Sequence, residues 1–169
     1  MLLRACLAFG LILSAFSAGA ADTPAKETNA QKFVRLTREL ERDPFSDRDK
    51  SKRAWLLMHA IDSKDIMVTV CDVLGPLPSD NVPHGGELVM QAMFGNAAFQ
   101  LEHPHTRDEQ AMQVAGMESL LSAYASILNE EPAARIPYFD EMQAKQAKGE
   151  LAATMAPAIK AKCTETPAT

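Results

Sequence analysis

Between Glu87 and Leu101 the chain reads ELVMQAMFGNAAFQL, and Leu88, Val89, Met90, Ala92, Met93, Phe94, Ala97, Ala98 and Phe99 point nearly all around a helical axis. A helix that is apolar on every side either crosses a membrane or lies at the centre of a bundle. At about fifteen residues this one is too short to span a bilayer, which takes roughly 20. It is therefore predicted to be the central helix, over 87–102, of an all-α fold. Gly95 inside it costs about 1 kcal/mol relative to alanine, a penalty that close approach of a neighbouring backbone offsets.

The flanking segments supply the partners for such a helix. KFVRLTRELERD sets Phe33, Leu36 and Leu40 at helical spacing before Pro44. SDRDKSKRAWLLMHAID opens with Ser46 and Asp49, close to a capping box, and continues into Trp55, Leu56, Met58 and Ile61. TRDEQAMQVAGMESLLSAYASILNEEP begins with Thr106 and Glu109 in capping-box register. It carries the apolar stripe Val114, Met117, Leu121, Tyr124 and Leu128. Beside that stripe run Ala115, Ser119, Ser122 and Ser126, small enough for another helix to come close.

Two short helices are predicted after Arg135, separated near Gly149, with the second bent or broken at Pro157. Residues 63–74 alternate like a strand at Ile66, Val68 and Val70. No second strand is available to pair with them, and a short helix is expected there. The sum is a single compact bundle of about six helices over 31–163, with flexible segments at 21–30 and 164–169. AYASILNEEP is similar to the second helix of a tetratricopeptide repeat. The likeness covers about ten residues and no second copy follows at the period near 34, so generic helix-hairpin packing accounts for it.

The first residues, MLLRACLAFGLILSAFSAGAADTP, combine Arg4, an apolar run from about Leu7 to Phe16 and the small residues Ala18, Gly19 and Ala20. This is the layout of a secretory signal peptide, expected to span 1–20 and to be removed. Cys6 precedes the apolar run, whereas a lipid-modified cysteine would follow it. Loss of Arg4 leaves the chain one unit more acidic than the −5 of the full sequence. That balance argues against nucleic acid or an anionic membrane as partner, and a periplasmic or secreted location is expected.

Cys71 and Cys163 remain, and an even pair in an exported chain reads as a structural disulfide. Closing a loop of about ninety residues would contribute roughly 4–5 kcal/mol in the chain-entropy account. No C-x-x-C occurs, and no histidine lies close to either cysteine in sequence.

Three groups of residues are candidate sites. The loop PLPSDNVPHGGE leads into the central helix, where backbone N–H groups of Gly85 and Gly86, helped by His84, could hold an anionic ligand. His103 and His105, with Glu102 and Asp108, form an H-x-H turn able in principle to bind zinc or copper. His84 and His103 are separated by a helix of roughly 25–28 Å and cannot share an ion within one molecule. Tyr138 and Phe139, beside Pro137, are candidates for an exposed patch that meets a protein partner.

Catalysis has less support. The chain lacks G-x-S-x-G, S-x-x-K, H-E-x-x-H and a phosphate-binding glycine loop. An active site would have to gather His59, Glu87 and Glu118. No cofactor is expected. The composition resembles, at the level of class only, that of periplasmic immunity proteins: small, exported, acidic and helical. The expected function is a soluble binding module, inhibitory or immunity-type, acting through a protein surface. The alternative is a periplasmic protein that binds a small molecule or metal at the 75–86 loop or at the His103/His105 turn.

Overall fold

The amphipathic segments become helices whose ends are fixed by identifiable side chains. The computed structural model describes residues 26–45, 49–67 and 71–163. These form α1 (Asn29–Arg42), α2 (Asp49–Asp62), α3 (Gly85–Glu102), α4 (Glu109–Glu130), a 3-10 turn (Pro132–Ala134), α5 (Pro137–Ala147) and α6 (Leu151–Lys162). Among the described residues there is no strand. The all-α expectation holds, with six α-helices. The signal segment 1–20, the Ser46 cap and the tail 164–169 lie outside the described residues.

At the start of α1, Thr28 Oγ1 accepts from Gln31 N at 3.2 Å, and Gln31 Oε1 accepts from Thr28 N at 2.9 Å. This reciprocal cap draws the helix back to Asn29, inside the stretch 21–30 expected to be flexible. α4 starts at Glu109 because Asp108, not Thr106, is its cap: Asp108 Oδ1 accepts from Ala111 N at 3.0 Å. A carboxylate at the positive end of the helix dipole outcompetes the hydroxyl two residues upstream. Thr106 Oγ1 accepts from Asp108 N instead, at 3.3 Å. Of the bend or break expected at Pro157, the break does not occur: α6 runs through it from Leu151 to Lys162. Pro157 and Ala153 are both on the exposed side, so the carbonyl that loses its partner can be hydrated.

The helix expected over 63–74 does not form: residues 63–67 and 71–74 are irregular. The side-chain amide of Gln100 takes over the backbone pairing there. Gln100 Oε1 accepts from Met67 N and Gln100 Nε2 donates to Met67 O, both at 2.8 Å. One residue of α3 thus satisfies both main-chain groups that a strand partner would have satisfied.

α3 is apolar on all sides because it divides the core. Leu88 and Ala92 face a cluster built from α4, α5, α6 and the loop residues Val73 and Leu77. Phe94, Ala97 and Ala98 face a second cluster with Phe33, Leu36 and Leu40 of α1, Leu56 and Ala60 of α2, and Ile66. Phe33 and Phe94 meet edge to face at 6.2 Å.

The closest crossing is between α3 and α4, and glycine makes it possible on both sides. A methyl group on Gly95 would collide with the Ser119 side chain and lie 3.0 Å from Ala115 O. A methyl on Gly116 would lie 2.7 Å from Ala92 O. The small line Ala115–Ser119 thus receives the backbone of α3 as its composition suggested. Alongside runs a hydrogen-bonded polar seam. Gln91 Nε2 donates to Ser119 Oγ at 2.8 Å and to Thr37 O at 3.2 Å, and Ser119 Oγ donates to Glu41 Oε1 at 2.6 Å.

Cys71 and Cys163 are disulfide-bonded, with Cα atoms 5.1 Å apart across a sequence separation of 92. The bridge fastens the end of α6 to a loop rather than to an early helix. Gly95→Val and Gly116→Val are each expected to lower unfolding free energy by about 1–3 kcal/mol or more, since neither backbone can retreat. Gly86→Ala, exposed and with nothing within 4 Å of the added methyl, is expected to raise it by about 0.5–1 kcal/mol. Urea denaturation of the three variants checks this contrast.

Candidate functional site

The loop from Cys71 to His84 is irregular, yet it is pinned along its length. Cys71 is held by the disulfide. Asp72 Oδ2 accepts from Lys162 Nζ at 2.7 Å. Gly75, at φ +67°, lies under the ring of Tyr138, where any side chain would collide with that ring. Leu77 is inserted into the core at 3% exposure. Gly85, at the loop's end, is packed so that a methyl would come within 3.1 Å of Ser79 O and 3.2 Å of Leu77 Cδ2.

Beneath the first arm of this loop lies a cavity of about 160 Å³. Its roof is Cys71, Leu74, Leu77 and Pro78; its floor is Val89, Ala92, Met93, Asn96 and Ala97 of α3 and Gln113 and Gly116 of α4. The volume exists because the residues that permit the close helix crossing, Ala92 and Gly116, leave no bulk beside it. Among the described residues the lining is mostly apolar, with amides at Asn96 and Gln113 and no charged side chain. Gln113 Nε2 donates to Glu109 Oε1 at 2.7 Å and lies 3.6 Å from Cys71 Sγ.

The other candidate residues are placed elsewhere. His84 caps no helix through its side chain and sits in a left-handed conformation at φ 55°. Its ring packs on Phe45 at 4.8 Å and its Nε2 lies 3.0 Å from Glu131 Oε2, which joins the loop to the end of α4. Gly85 N donates to Val82 O at 3.0 Å, so this N–H of the expected anion site is already used. Gly86 is exposed.

His103 stacks on Phe99 at 4.2 Å and its Nδ1 donates to Phe99 O at 3.0 Å, closing the end of α3. His105 is exposed, at φ 72°. Among the described residues the turn does not bring three donors of Glu102, His103, His105 and Asp108 together. Among the described residues, the group with three ligand atoms within 4.8 Å of one another is Cys71, Glu109 and Cys163. Its two sulfurs are spent on each other in the disulfide.

Tyr138 and Phe139 do not form the expected partner surface. Phe139 is 0% exposed and packs edge to face against Tyr124 at 5.5 Å, because α5 turns this side inward onto α4. Tyr138 is half-buried over Gly75. His59 stacks on Trp55 at 5.0 Å. Glu118 adjoins Ser119, which lies against Gly95, about two turns or ~12 Å along α3 from Glu87. The trio His59, Glu87 and Glu118 is therefore spread over separate surfaces.

Two features were not legible beforehand. The cavity depends on tertiary gaps that no spacing announces. Met58, Ile61 and Met67 are exposed, at 57, 68 and 48%, although the apolar half of the α2 segment was expected to pack as a partner of the central helix. No protein-family model matches the chain, and no curated protein or solved structure matches it.

The tyrosines report on the packing around the loop. Burial, followed by the Asp140 carboxylate that Tyr124 Oη contacts at 3.0 Å, raises the Tyr124 phenol above its ordinary value despite the Ile136 N–H it accepts at 2.7 Å. Burial, then nearby Glu141, raises Tyr138. Both favour the protonated phenol in the folded state. Their contribution to stability is fully present below about pH 10 and is lost as pH rises through the folded-state values. These are the only two tyrosines. Absorbance at 295 nm should therefore show no tyrosinate step at pH 10 in the folded protein, and a normal one in urea.

Proposed function

We propose that the protein binds a small, largely apolar molecule in the cavity between α3, α4 and the loop from Cys71 to Pro78. The observation that carries this is an apolar volume of about 160 Å³ roofed by a covalently fastened loop. A cavity of ~150 Å³ lined by aliphatic side chains suffices to hold benzene. Ligand sites combine such apolar walls with few, fixed polar groups, and Asn96 and Gln113 are those groups here. The ligand role expected of His84, Gly85 and Gly86 passes to Leu74, Leu77 and Pro78 of the same loop. We place the protein in an exported compartment: the N-terminal segment has signal-peptide layout, and a disulfide persists in oxidising surroundings. No helix among the described residues is long and apolar enough to cross a membrane.

A protein-binding role, inhibitory or immunity-type, has one specific observation in its favour. Met58 and Ile61, three residues apart on α2, and Met67 beyond its end are large apolar side chains exposed to solvent. Under that role, replacing Met58 and Ile61 by aspartate abolishes partner co-purification and leaves stability within about 0.5 kcal/mol.

Benzene is a direct probe of the cavity. At ten times its dissociation constant it should stabilise the protein by about 1.4 kcal/mol, or roughly 3–6 °C in Tm. Val89→Phe, on the cavity wall and half-buried, should abolish the shift while the variant stays folded. A wild-type protein indifferent to benzene, and to every other small hydrocarbon of that size, would overturn the proposal.

A further inference from the structure

Asn96 and Gln100 lie one turn apart on α3, and a chain of hydrogen bonds orients both. Met67 N donates to one end of the Gln100 amide and Met67 O accepts from the other, at 2.8 Å each. A main-chain N–H can only donate and a carbonyl can only accept, so the Oε1 and Nε2 ends of Gln100 are fixed. Nε2 also faces Asn96 at 2.7 Å. It has no lone pair to offer, so the Asn96 atom opposite it must be the oxygen, Oδ1. The Asn96 amide is oriented in its turn, and its Nδ2 has no partner among the described residues.

Asn96 lines the cavity, which has no charged wall. The other amide there, Gln113, is turned to Glu109 Oε1 at 2.7 Å. An ionised ligand would enter such a volume unpaired and at high cost. A neutral ligand with no polar atom would leave the Asn96 donor unsatisfied. Resting on the cavity reading above, we infer that the site takes a neutral molecule with an apolar body about the size of one six-membered ring. Its single hydrogen-bond acceptor, of carbonyl type, accepts from Asn96 Nδ2.

The test compares cyclohexanone with methylenecyclohexane, which has nearly the same shape and no acceptor, by titration calorimetry or ligand-detected NMR. In wild type the ketone loses hydration on entering, so the informative quantity is the ketone-to-hydrocarbon affinity ratio and its change on mutation. Asn96→Leu removes the donor, and the ratio should fall about fivefold with hydrocarbon binding kept. Asn96→Asp keeps an oxygen for Gln100 Nε2 and replaces the donor by an acceptor. It guards against misfolding of the leucine variant, should lower the ketone ratio at least as far, and should allow cyclohexylammonium to bind. If methylenecyclohexane binds and the ratio is the same in wild type and both variants, the inference is overturned and the cavity reading survives. If neither probe binds wild type, the cavity reading fails and takes the inference with it.

Discussion

The rest of the molecule depends on how closely α3 and α4 cross. Gly95 lies against Ser119 and Ala115, and Gly116 lies against Ala92, so each backbone occupies space that an ordinary side chain would need. Dispersion and hydrophobic burial reward such contact only while the fit is kept, because interiors are packed like crystals and yield little. With these two helices locked, α1 and α2 cover one flank of α3, and α5 and α6 cover α4. Beside the crossing, Gln91 Nε2, Ser119 and Glu41 are joined in a chain of hydrogen bonds that Arg38 continues toward the surface.

The same small residues explain why a cavity exists. Helices that meet at glycine and alanine diverge on either side of the contact, and the gap must be filled by longer side chains or covered by another segment. Here it is covered by an irregular loop, whose backbone has few regular hydrogen bonds to hold it. The disulfide, the Lys162–Asp72 ion pair and the Tyr138–Gly75 contact hold it from outside, and Leu77 anchors it from within. Of these the exposed ion pair is worth little on its own. The covalent bond and the buried leucine carry the larger share.

Much of this architecture was legible in the sequence, for reasons that can be named. An apolar run too short for a membrane forces a central helix, and α3 is one. Two cysteines in a chain with signal-peptide layout imply a bridge, and it is present. Glycine inside an apolar helix implies a close neighbour, and Ser119 is that neighbour. The failures have a common cause: local pattern cannot say which side of an element faces the core. Phe139 looked like an exposed anchor and is core, while Met58 and Ile61 looked like core and are exposed. The 63–74 stretch could be read as helix or strand because its backbone partner, Gln100, is a side chain far away in sequence. The histidine pattern did not show that His84 packs on Phe45 and bonds Glu131, or that His103 stacks on Phe99 and bonds its carbonyl.

The cavity has an energetic consequence. The side chains that line its volume of about 160 Å³ forgo dispersion contacts that a filled core would give them. A disulfide over 92 residues contributes about 4.6 kcal/mol in the chain-entropy account. The two effects meet at one residue, since Cys71 is both half of the bridge and part of the cavity roof. A larger aliphatic side chain at Ala92 or Ala97 would occupy the space only at the expense of the crossing or the second core cluster. Val89 and Leu74, at the edge, are free of that constraint and could have grown into it. The roof itself does not depend on filling that space, because the staple at Cys71 and the buried side chain of Leu77 hold it.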